Sequence, residues 1–252
     1  GYPDGTYGYK RFQSGAFEYE IRDDGTAVIV GYLEEDFGED GVLEIPAELD
    51  GYRVTRIGAD VFQFCSNLEK VTIPEGVTEI GANAFGHCDA LEEVVLPDGL
   101  NVIDEAAFCA CTSLAQISIP ESVTFIGDSA FICCESLTEI VIPDGVTHIA
   151  DSTFGACYAL ERIVLPEGIT EIGSYAFSGC ELLSDITLPN SLTRIGGHAF
   201  SECRSLTEIA IPDGVMEIGE EAFCWNAELI VGEGSCAKQY AQENEIPYSC
   251  AQ

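Results

Sequence analysis

The chain is 252 residues long, enough for one large or two small domains with a buried core. Its 10 Lys and Arg stand against 44 Asp and Glu, a formal charge of −34, which argues against nucleic acid and anionic membranes as partners because both require a basic footprint. Hydrophobic residues make up 46%, so this charge does not imply disorder, and no run of about 18 apolar residues exists that would insert into a membrane.

The N-terminal region predicts a flexible segment followed by a hairpin. Residues 1–14 are rich in Gly and Tyr, and we expect them to be loosely held. Residues 17–21 and 26–30 alternate in polarity around the turn sequence 22–25, so residues 15–41 are assigned to a capping hairpin. The acidic residues 34–40 lack the spacing of a calcium loop and are expected to form a flexible loop.

Residues 42–230 follow a period of 23 residues. Prolines recur at this step from Pro74 to Pro212, phenylalanines from Phe62 to Phe223, leucines from Leu68 to Leu229 and isoleucines from Ile57 to Ile218. The consensus is L-x-x-[VI]-x-[IL]-P-[DE]-G-[VIL]-T-x-I-G-x-x-A-F-x-x-C-x-x. Self-similarity at this period is typical of a solenoid.

Each part of the repeat predicts one part of a coil. The first part alternates, so Val71 and Ile73 point to one face of a short strand while Lys70 and Thr72 point to the other. Proline ends that strand and begins a turn, and the V-T-x-I part predicts a short second strand. The A-F-x-x-C part predicts a single helical or 3₁₀ turn with Ala and Phe packed inward. One unit cannot bury its apolar face alone, so the units stack as parallel strands about 4.8 Å apart.

Residues 231–252 are assigned to a C-terminal cap, because solenoid ends expose core. Residues 235–244 predict a short helix that begins after Ser235 as its N-cap. The predicted fold class is an α/β repeat solenoid. It is a leucine-rich-repeat superhelix with a concave parallel β-sheet, short second strands, single helical turns, a β-hairpin N-cap and a short helical C-cap.

The pattern I-P-x-x-V-x-x-I-G-x-x-A-F-x-x-C-x-x-L resembles the BspA-like leucine-rich repeats of bacterial surface proteins. The resemblance covers roughly residues 15–248. Its departures are minor: Asp104 and Ala150 replace the Gly after Ile, and Thr153 replaces the Ala before Phe. The resemblance implies a secreted or cell-surface protein that works in adhesion or protein binding, and it carries over no catalytic residue. No signal peptide is recognisable, and a secreted protein would have lost one by processing.

The 12 cysteines divide into a periodic set and a remainder. The periodic set follows each phenylalanine by three residues, and Asn226 ends it; its members are Cys65, Cys88, Cys111, Cys134, Cys157, Cys180 and Cys203. Stacked coils hold such thiols about 4.8 Å apart, whereas a disulfide requires Cβ atoms about 3.8 Å apart, so we predict free buried thiols and no zinc site. The remainder is Cys109, Cys133, Cys224, Cys236 and Cys250, and whether Cys236 and Cys250 pair stays open.

The remaining polar residues give little indication of catalysis or metal binding. Tyr175, His198 and Glu221 share one register in successive coils and come nearest to an acid–base constellation, but a stack of exposed polar residues explains them more simply. His148 shares its register with Glu171, which predicts a surface salt bridge. The acidic residues that follow the prolines repel by about 0.8 kcal/mol per neighbouring pair, which solvation relieves more simply than calcium. We predict no enzyme, no metal and no cofactor.

The outward strand positions form the candidate binding face, although they include no aromatic residue of the kind that usually anchors an interface. They are Lys70, Thr72, Glu93, Val95, Gln116, Ser118, Glu139, Val141, Arg162, Val164, Asp185, Thr187 and Glu208. We therefore predict a non-catalytic surface or secreted protein that binds a protein or glycan carrying basic patches. The alternative is a structural spacer domain of a larger cell-surface protein. The acidic charge should attract basic partners and make their binding weaken with salt.

Overall fold

A computed structural model describes residues 10–33, 37, 41–225 and 227–251. Within them the chain forms many short strands and one α-helix, α1, which spans Cys236–Glu243. In chain order the strands are β1 (Arg11–Ser14), β2 (Phe17–Ile21), β3 (Ala27–Tyr32), β4 (Val42–Glu44), β5 (Glu48–Leu49), β6 (Tyr52–Ile57), β7 (Lys70–Thr72), β8 (Glu79–Ile80), β9 (Glu93–Val95), β10 (Val102–Ile103), β11 (Phe125–Ile126), β12 (Glu139–Val141), β13 (His148–Ile149), β14 (Arg162–Val164), β15 (Glu171–Ile172), β16 (Asp185–Ile186), β17 (Arg194–Ile195), β18 (Glu208–Ala210), β19 (Glu217–Ile218), β20 (Glu228–Val231) and β21 (Tyr248–Cys250).

Most of these strands stack into two parallel ladders. Ladder one consists of three segments, β4–β7–β9, β12–β14–β16 and β18–β20–β21. Ladder two consists of β6–β8–β10–β11 and β13–β15–β17–β19. Along most of each ladder the paired residues lie one period apart, as Val71 pairs with Val94 and Arg194 with Glu217. The predicted stack of coils is confirmed as a parallel-strand β-solenoid, and most coils have both the strand and the short second strand.

The N-terminal end continues ladder two with an antiparallel sheet. Strands β1, β2 and β3 pair in that order, and β3 lies parallel to β6. The predicted hairpin is therefore part of a three-stranded unit, because Arg11–Ser14, which we had placed in the loosely held segment, forms β1. Residues 1–9 of that segment, and most of the acidic loop 34–40, lie outside the described residues.

Phenylalanine rings form a continuous stack through the core. From Phe62 to Phe223, rings in successive coils have centroids 5.1 to 5.7 Å apart. Tyr32 of β3 packs on Phe62 at one end of the stack, and Tyr240 of α1 packs edge-on against Phe223 at the other. Both end elements thus remove core aromatic surface from water, which stabilises the fold by about 1.5–3 kcal/mol for each fully buried side chain.

The third side of each coil, residues 81–88 and their equivalents, is called the turn side. It is made of turns in which two residues per coil have positive φ, as at Asn83 (53°) and His87 (59°). A right-handed helical turn requires negative φ, so the predicted helical or 3₁₀ turn is wrong. Alternate backbone N–H groups bond to the next coil, as the N–H of Phe85 donates to the carbonyl of Ala107 at 2.8 Å, while those between them close turns within the coil. The chain is accordingly almost all β rather than α/β, while the inward packing of Ala84 and Phe85 is confirmed.

The C-terminal coil departs from the period. β18 pairs Glu208 with Glu228, a register three residues short of the repeat. Leu229 continues the leucine series in the sequence, yet it pairs with Ile209 in space. The Oγ of Ser235 accepts a hydrogen bond from the N–H of Lys238 at 3.1 Å and caps α1 at its N-terminus. The helix therefore begins directly after the shortened coil.

Candidate functional site

The residues predicted to form a binding face lie together along ladder one. These residues, which we call the ladder-one face, lie on the outward side of that ladder. Lys70 and Thr72 are half-buried, and the others are exposed: Glu93, Val95, Gln116, Ser118, Glu139, Val141, Arg162, Val164, Asp185, Thr187 and Glu208. Their outward position follows from the alternation of side chains along a strand, and their role in binding stays a prediction.

Charges on the ladder-one face pair with one another between coils. The Lys70 Nζ lies 2.8 Å from the Glu93 Oε1, and the Arg162 Nε lies 2.9 Å from the Asp185 Oδ2. Arg162 also approaches Glu139, with Nη1 3.8 Å from Oε2. Such exposed pairs add about 0–1 kcal/mol to stability. This face therefore presents partly compensated charge beside a column of valine, threonine and serine side chains.

The ladder-one face is interrupted at its middle. Residues 116–118 form no strand on ladder one, although the repeat predicts one there. Hollows of about 350 and 250 Å³ lie on either side of these residues, one bordered by Val95 and the other by Val141. Each hollow is shallow and combines exposed backbone with an apolar side chain.

The turn side brings together the polar residues predicted to share a register. The rings of Tyr175 and His198 stack with centroids 4.7 Å apart, and the His198 Nδ1 lies 3.5 Å from the Glu221 Oε2. The three residues therefore form a strip of pairwise contacts along the solenoid, as their register predicts. All three have positive φ, between 49° and 57°.

The other histidines make aromatic contacts. His148 is in register with Glu171, but its ring packs edge-on against Phe125, with centroids 6.0 Å apart. Glu171 pairs with Arg194, so the predicted salt bridge is wrong. Among the described residues, no group of three or more His, Cys, Asp or Glu side chains is arranged to hold a metal ion.

The periodic cysteines connect each coil to the one before it. From Cys88 to Cys203, each Sγ lies 3.1–3.2 Å from the backbone carbonyl oxygen of the phenylalanine of the preceding coil. Cys224 makes the same contact with Phe200 at 3.0 Å, so its assignment outside the series is wrong, and the short last coil is the reason. Asn226, predicted to end the series, lies outside the described residues.

All the cysteines are free thiols, as predicted for the periodic set. Cys236 donates to the Met216 carbonyl and Cys250 to the Glu233 carboxylate, so the two do not pair. Burial raises the pKa of the periodic thiols from Cys111 to Cys203, that of Cys180 to about 12. A thiol that stays protonated is a poor nucleophile and a poor metal ligand.

A groove at the C-terminal end, the end groove, escaped the sequence analysis. Its volume is about 660 Å³, and it lies between the last coils and α1. Its lining residues are Ser201, Glu202, Arg204, Glu221, Phe223, Cys224, Trp225, Tyr240, Asn244 and Ile246. Trp225 is 87% exposed and is the one tryptophan of the sequence. The signal in the sequence for this groove was Trp225, a single tryptophan that lies where the 23-residue period breaks down.

Nearly all basic side chains are already engaged by carboxylates. Of the 10 Lys and Arg, eight form ion pairs: Arg11, Arg22, Arg56, Lys70, Arg162, Arg194, Arg204 and Lys238. Lys10 lies over the ring of Phe12. The charge available to a partner is therefore overwhelmingly negative.

Comparison with known proteins identifies the repeat. The sequence matches the family model of the BspA type leucine rich repeat region in six copies, over residues 47–161 and 147–231. No curated protein matches the chain. Within the described part of the chain, no helix has the length and apolar character needed to cross a membrane.

Solved structures of bacterial leucine-rich repeat proteins share the fold. The chain is similar to the leucine rich repeat protein of T. pallidum, with 30% identity, a TM-score of 0.74, and coverage of 85% of this chain and 100% of that one. It is similar to a leucine rich cell surface protein of Faecalibacterium prausnitzii, with 29% identity, a TM-score of 0.63, and coverage of 89% and 76%. A leucine-rich repeat protein of Bacteroides ovatus shows 29% identity, a TM-score of 0.61, and coverage of 88% and 71%. The chain, with its matching repeat and solenoid fold, belongs to the BspA-type leucine-rich repeat family.

Proposed function

We propose that this protein is a non-catalytic, secreted or cell-surface protein of a bacterium that binds a protein or glycan carrying basic patches. The observation that carries the proposal is its charge. The chain has a net charge of −34, and most of its cations are held by its own carboxylates. A surface of this kind attracts basic partners at long range and repels acidic ones.

The family supports a role outside the cytoplasm. The similar protein of Faecalibacterium prausnitzii is described as a leucine rich cell surface protein. Solenoids offer extended surfaces for binding, and the ladder-one face, which we expect to be the concave one, is a candidate contact surface. Val95, Val141 and Val164 are exposed there beside paired charges.

A spacer in a larger surface protein is the second candidate. Ion pairing within the ladder-one face favours it, since Lys70 and Arg162 already satisfy their acidic neighbours. A spacer needs only a stable stack of coils, and it predicts no face-dependent binding.

Binding to a panel of purified host extracellular-matrix proteins and to a glycan array separates the two candidates. Measurements at about 50 and 500 mM salt should show binding that weakens strongly as salt rises, because screening shortens the reach of the acidic field. Val141→Glu should reduce binding if the ladder-one face makes the contact. Met216→Glu is the matched control, since Met216 is exposed near β19 on ladder two.

The outcomes differ for each candidate. Loss of binding in Val141→Glu but not in Met216→Glu supports recognition by the ladder-one face. Equal binding by both variants contradicts that face as the contact surface. Absence of any bound protein or glycan at low salt contradicts the binding function and favours the spacer.

A further inference from the structure

We propose that the end groove is the principal recognition site of this protein and that it takes a Lys or Arg side chain from a basic segment of the partner. This inference rests on the proposed binding of a basic partner and specifies where that partner docks. It moves the site from the ladder-one face to the C-terminal end of the turn side.

Aromatic rings form the groove. Trp225 is an exposed lining residue, while Phe223 and Tyr240 are buried lining residues that pack edge-to-face with ring centroids 6.1 Å apart. The indole ring is the best of the aromatic side chains at binding a cation over its face. An exposed indole in a groove that is also lined by buried aromatic rings is an arrangement that binds an alkyl chain bearing a positive charge.

Carboxylates line the same groove. Glu202 and Glu221 are both exposed lining residues. The positive charge of Arg204 is compensated, because its Nη1 lies 3.0 Å from Glu181 and its Nη2 lies 2.9 Å from Glu202. Glu221 therefore gives the groove a net negative charge next to an aromatic surface, and the cationic ligand is the complementary one.

A strip of exposed and half-buried residues leads from the groove along the turn side. Glu221 contacts His198, and the His198 ring stacks on Tyr175, which is 47% exposed. Tyr, Trp and Arg are the residues that most often dominate binding energy at interfaces. The end groove and its strip contain all three, whereas the ladder-one face contains no aromatic residue.

The negative charge of the groove favours a basic ligand over an acidic or an apolar one. A phosphate or acidic peptide would meet Glu202, Glu221 and the field of the whole chain. A purely apolar segment would desolvate Glu221 without giving it a cationic partner, which costs free energy. A basic segment pairs with Glu221 and packs its alkyl chain on the aromatic rings.

The single tryptophan makes the groove directly observable. Titration of the full chain with an oligolysine peptide should change the fluorescence of Trp225 in a saturable way, because no other tryptophan contributes. An oligoglutamate peptide and a malto-oligosaccharide serve as the acidic and neutral probes. Calorimetry on the same samples measures total binding independently of the groove.

Two double variants of equal net charge test the role of the carboxylates in the groove. Glu202→Gln with Glu221→Gln should weaken the fluorescence-detected binding of oligolysine about tenfold, the loss expected when a desolvated cation loses its partners. Glu75→Gln with Glu121→Gln changes the charge equally at exposed turns outside the groove and should leave the affinity within about twofold.

The outcomes distinguish failure of the groove as the binding site from failure of the proposed function. If calorimetry detects binding of oligolysine but the fluorescence of Trp225 does not change, the groove is not the binding site. The proposed binding of basic partners stands in that case. Equal weakening in both double variants also overturns the groove as the binding site, since the attraction is then diffuse. A fluorescence response to the oligosaccharide alone overturns the cationic ligand. Absence of oligolysine binding by both methods contradicts the proposed function as well.

Discussion

The thiol of Cys134 donates a hydrogen bond to the backbone carbonyl oxygen of Phe108, 3.2 Å away in the preceding coil. The same contact recurs along the core, which explains why cysteine and phenylalanine repeat together. Cysteine is small enough to be buried at each coil and carries one weak donor for the carbonyl that faces it. The periodic cysteines are thus part of the scaffold.

Replacement of Cys134 by alanine should destabilise the protein. Cys134 is fully buried, so the change removes a hydrogen bond and leaves a small cavity. We expect the free energy of unfolding to fall by about 1–3 kcal/mol in urea denaturation. Cys133→Ala is the matched control, because Cys133 is the adjacent thiol and is half-buried. Equal losses in the two variants would contradict the role of the hydrogen bond.

The phenylalanine stack should dominate stability. Phe131 is fully buried between Phe108 and Phe154, with ring centroids 5.5 and 5.7 Å away. Phe131→Ala should lower the free energy of unfolding by about 3–5 kcal/mol, through lost burial and the cavity that remains. Phe125→Ala removes a ring that is exposed on ladder two and should cost less than about 1 kcal/mol. Thermal melts of both variants check the difference, and comparable melting temperatures would refute it.

Replacement of two adjacent alanines by glycine should change the stability of the protein in opposite directions. Ala106 has a φ of 53°, which costs an L-residue about 1–2 kcal/mol, so Ala106→Gly should stabilise the protein by about 0.5–1 kcal/mol after the entropy of glycine is subtracted. Ala107 is fully buried and has no positive φ, so Ala107→Gly should destabilise it. Denaturant midpoints of the two variants provide the measurement. A shift of both midpoints in the same direction would show that backbone conformation does not decide the outcome.

Alkaline pH should destabilise the fold through its buried thiols. In the unfolded chain the Cys180 thiol ionises near its ordinary pKa of 9.0, whereas burial raises the pKa in the folded chain to about 12. Between these values the unfolded state binds fewer protons, so the free energy of unfolding falls as pH rises, by about 1.4 kcal/mol per pH unit for this group. Below pH 9 the stabilisation is fully present.

Cys180→Ala measures the contribution of this one group. The variant should show a shallower loss of stability above pH 9 than the wild type, with the difference read from urea midpoints at increasing pH. Val146→Ala, which removes buried side-chain volume but no titratable group, should leave the wild-type slope intact. A Cys180→Ala slope equal to that of the wild type would rule out the linkage.

The parts of the site that the sequence predicted are those set by strand alternation. Val141 and Arg162 lie on the outward face because residues of a strand point alternately to its two sides. The ion pairs of Arg162 with Glu139 and Asp185 follow the same register, since the three residues lie one period apart and meet when the coils stack. The end groove was missed because its lining comes from the last coils and α1, which follow no common period.

The amino-acid sequence by itself determined the period, the core columns and the acidic charge. A residue such as Phe131 recurs at a fixed step, and a unit too small to bury it must stack on a copy of itself. Only the tertiary structure decided the conformation of the turn side, the place of Cys224 and the exposure of Trp225. Left-handed residues such as Ala106 are stabilised by hydrogen bonds to the next coil, which no isolated segment can form. The last coil has no following repeat to fix its register, so its packing against α1 sets the shape of the groove.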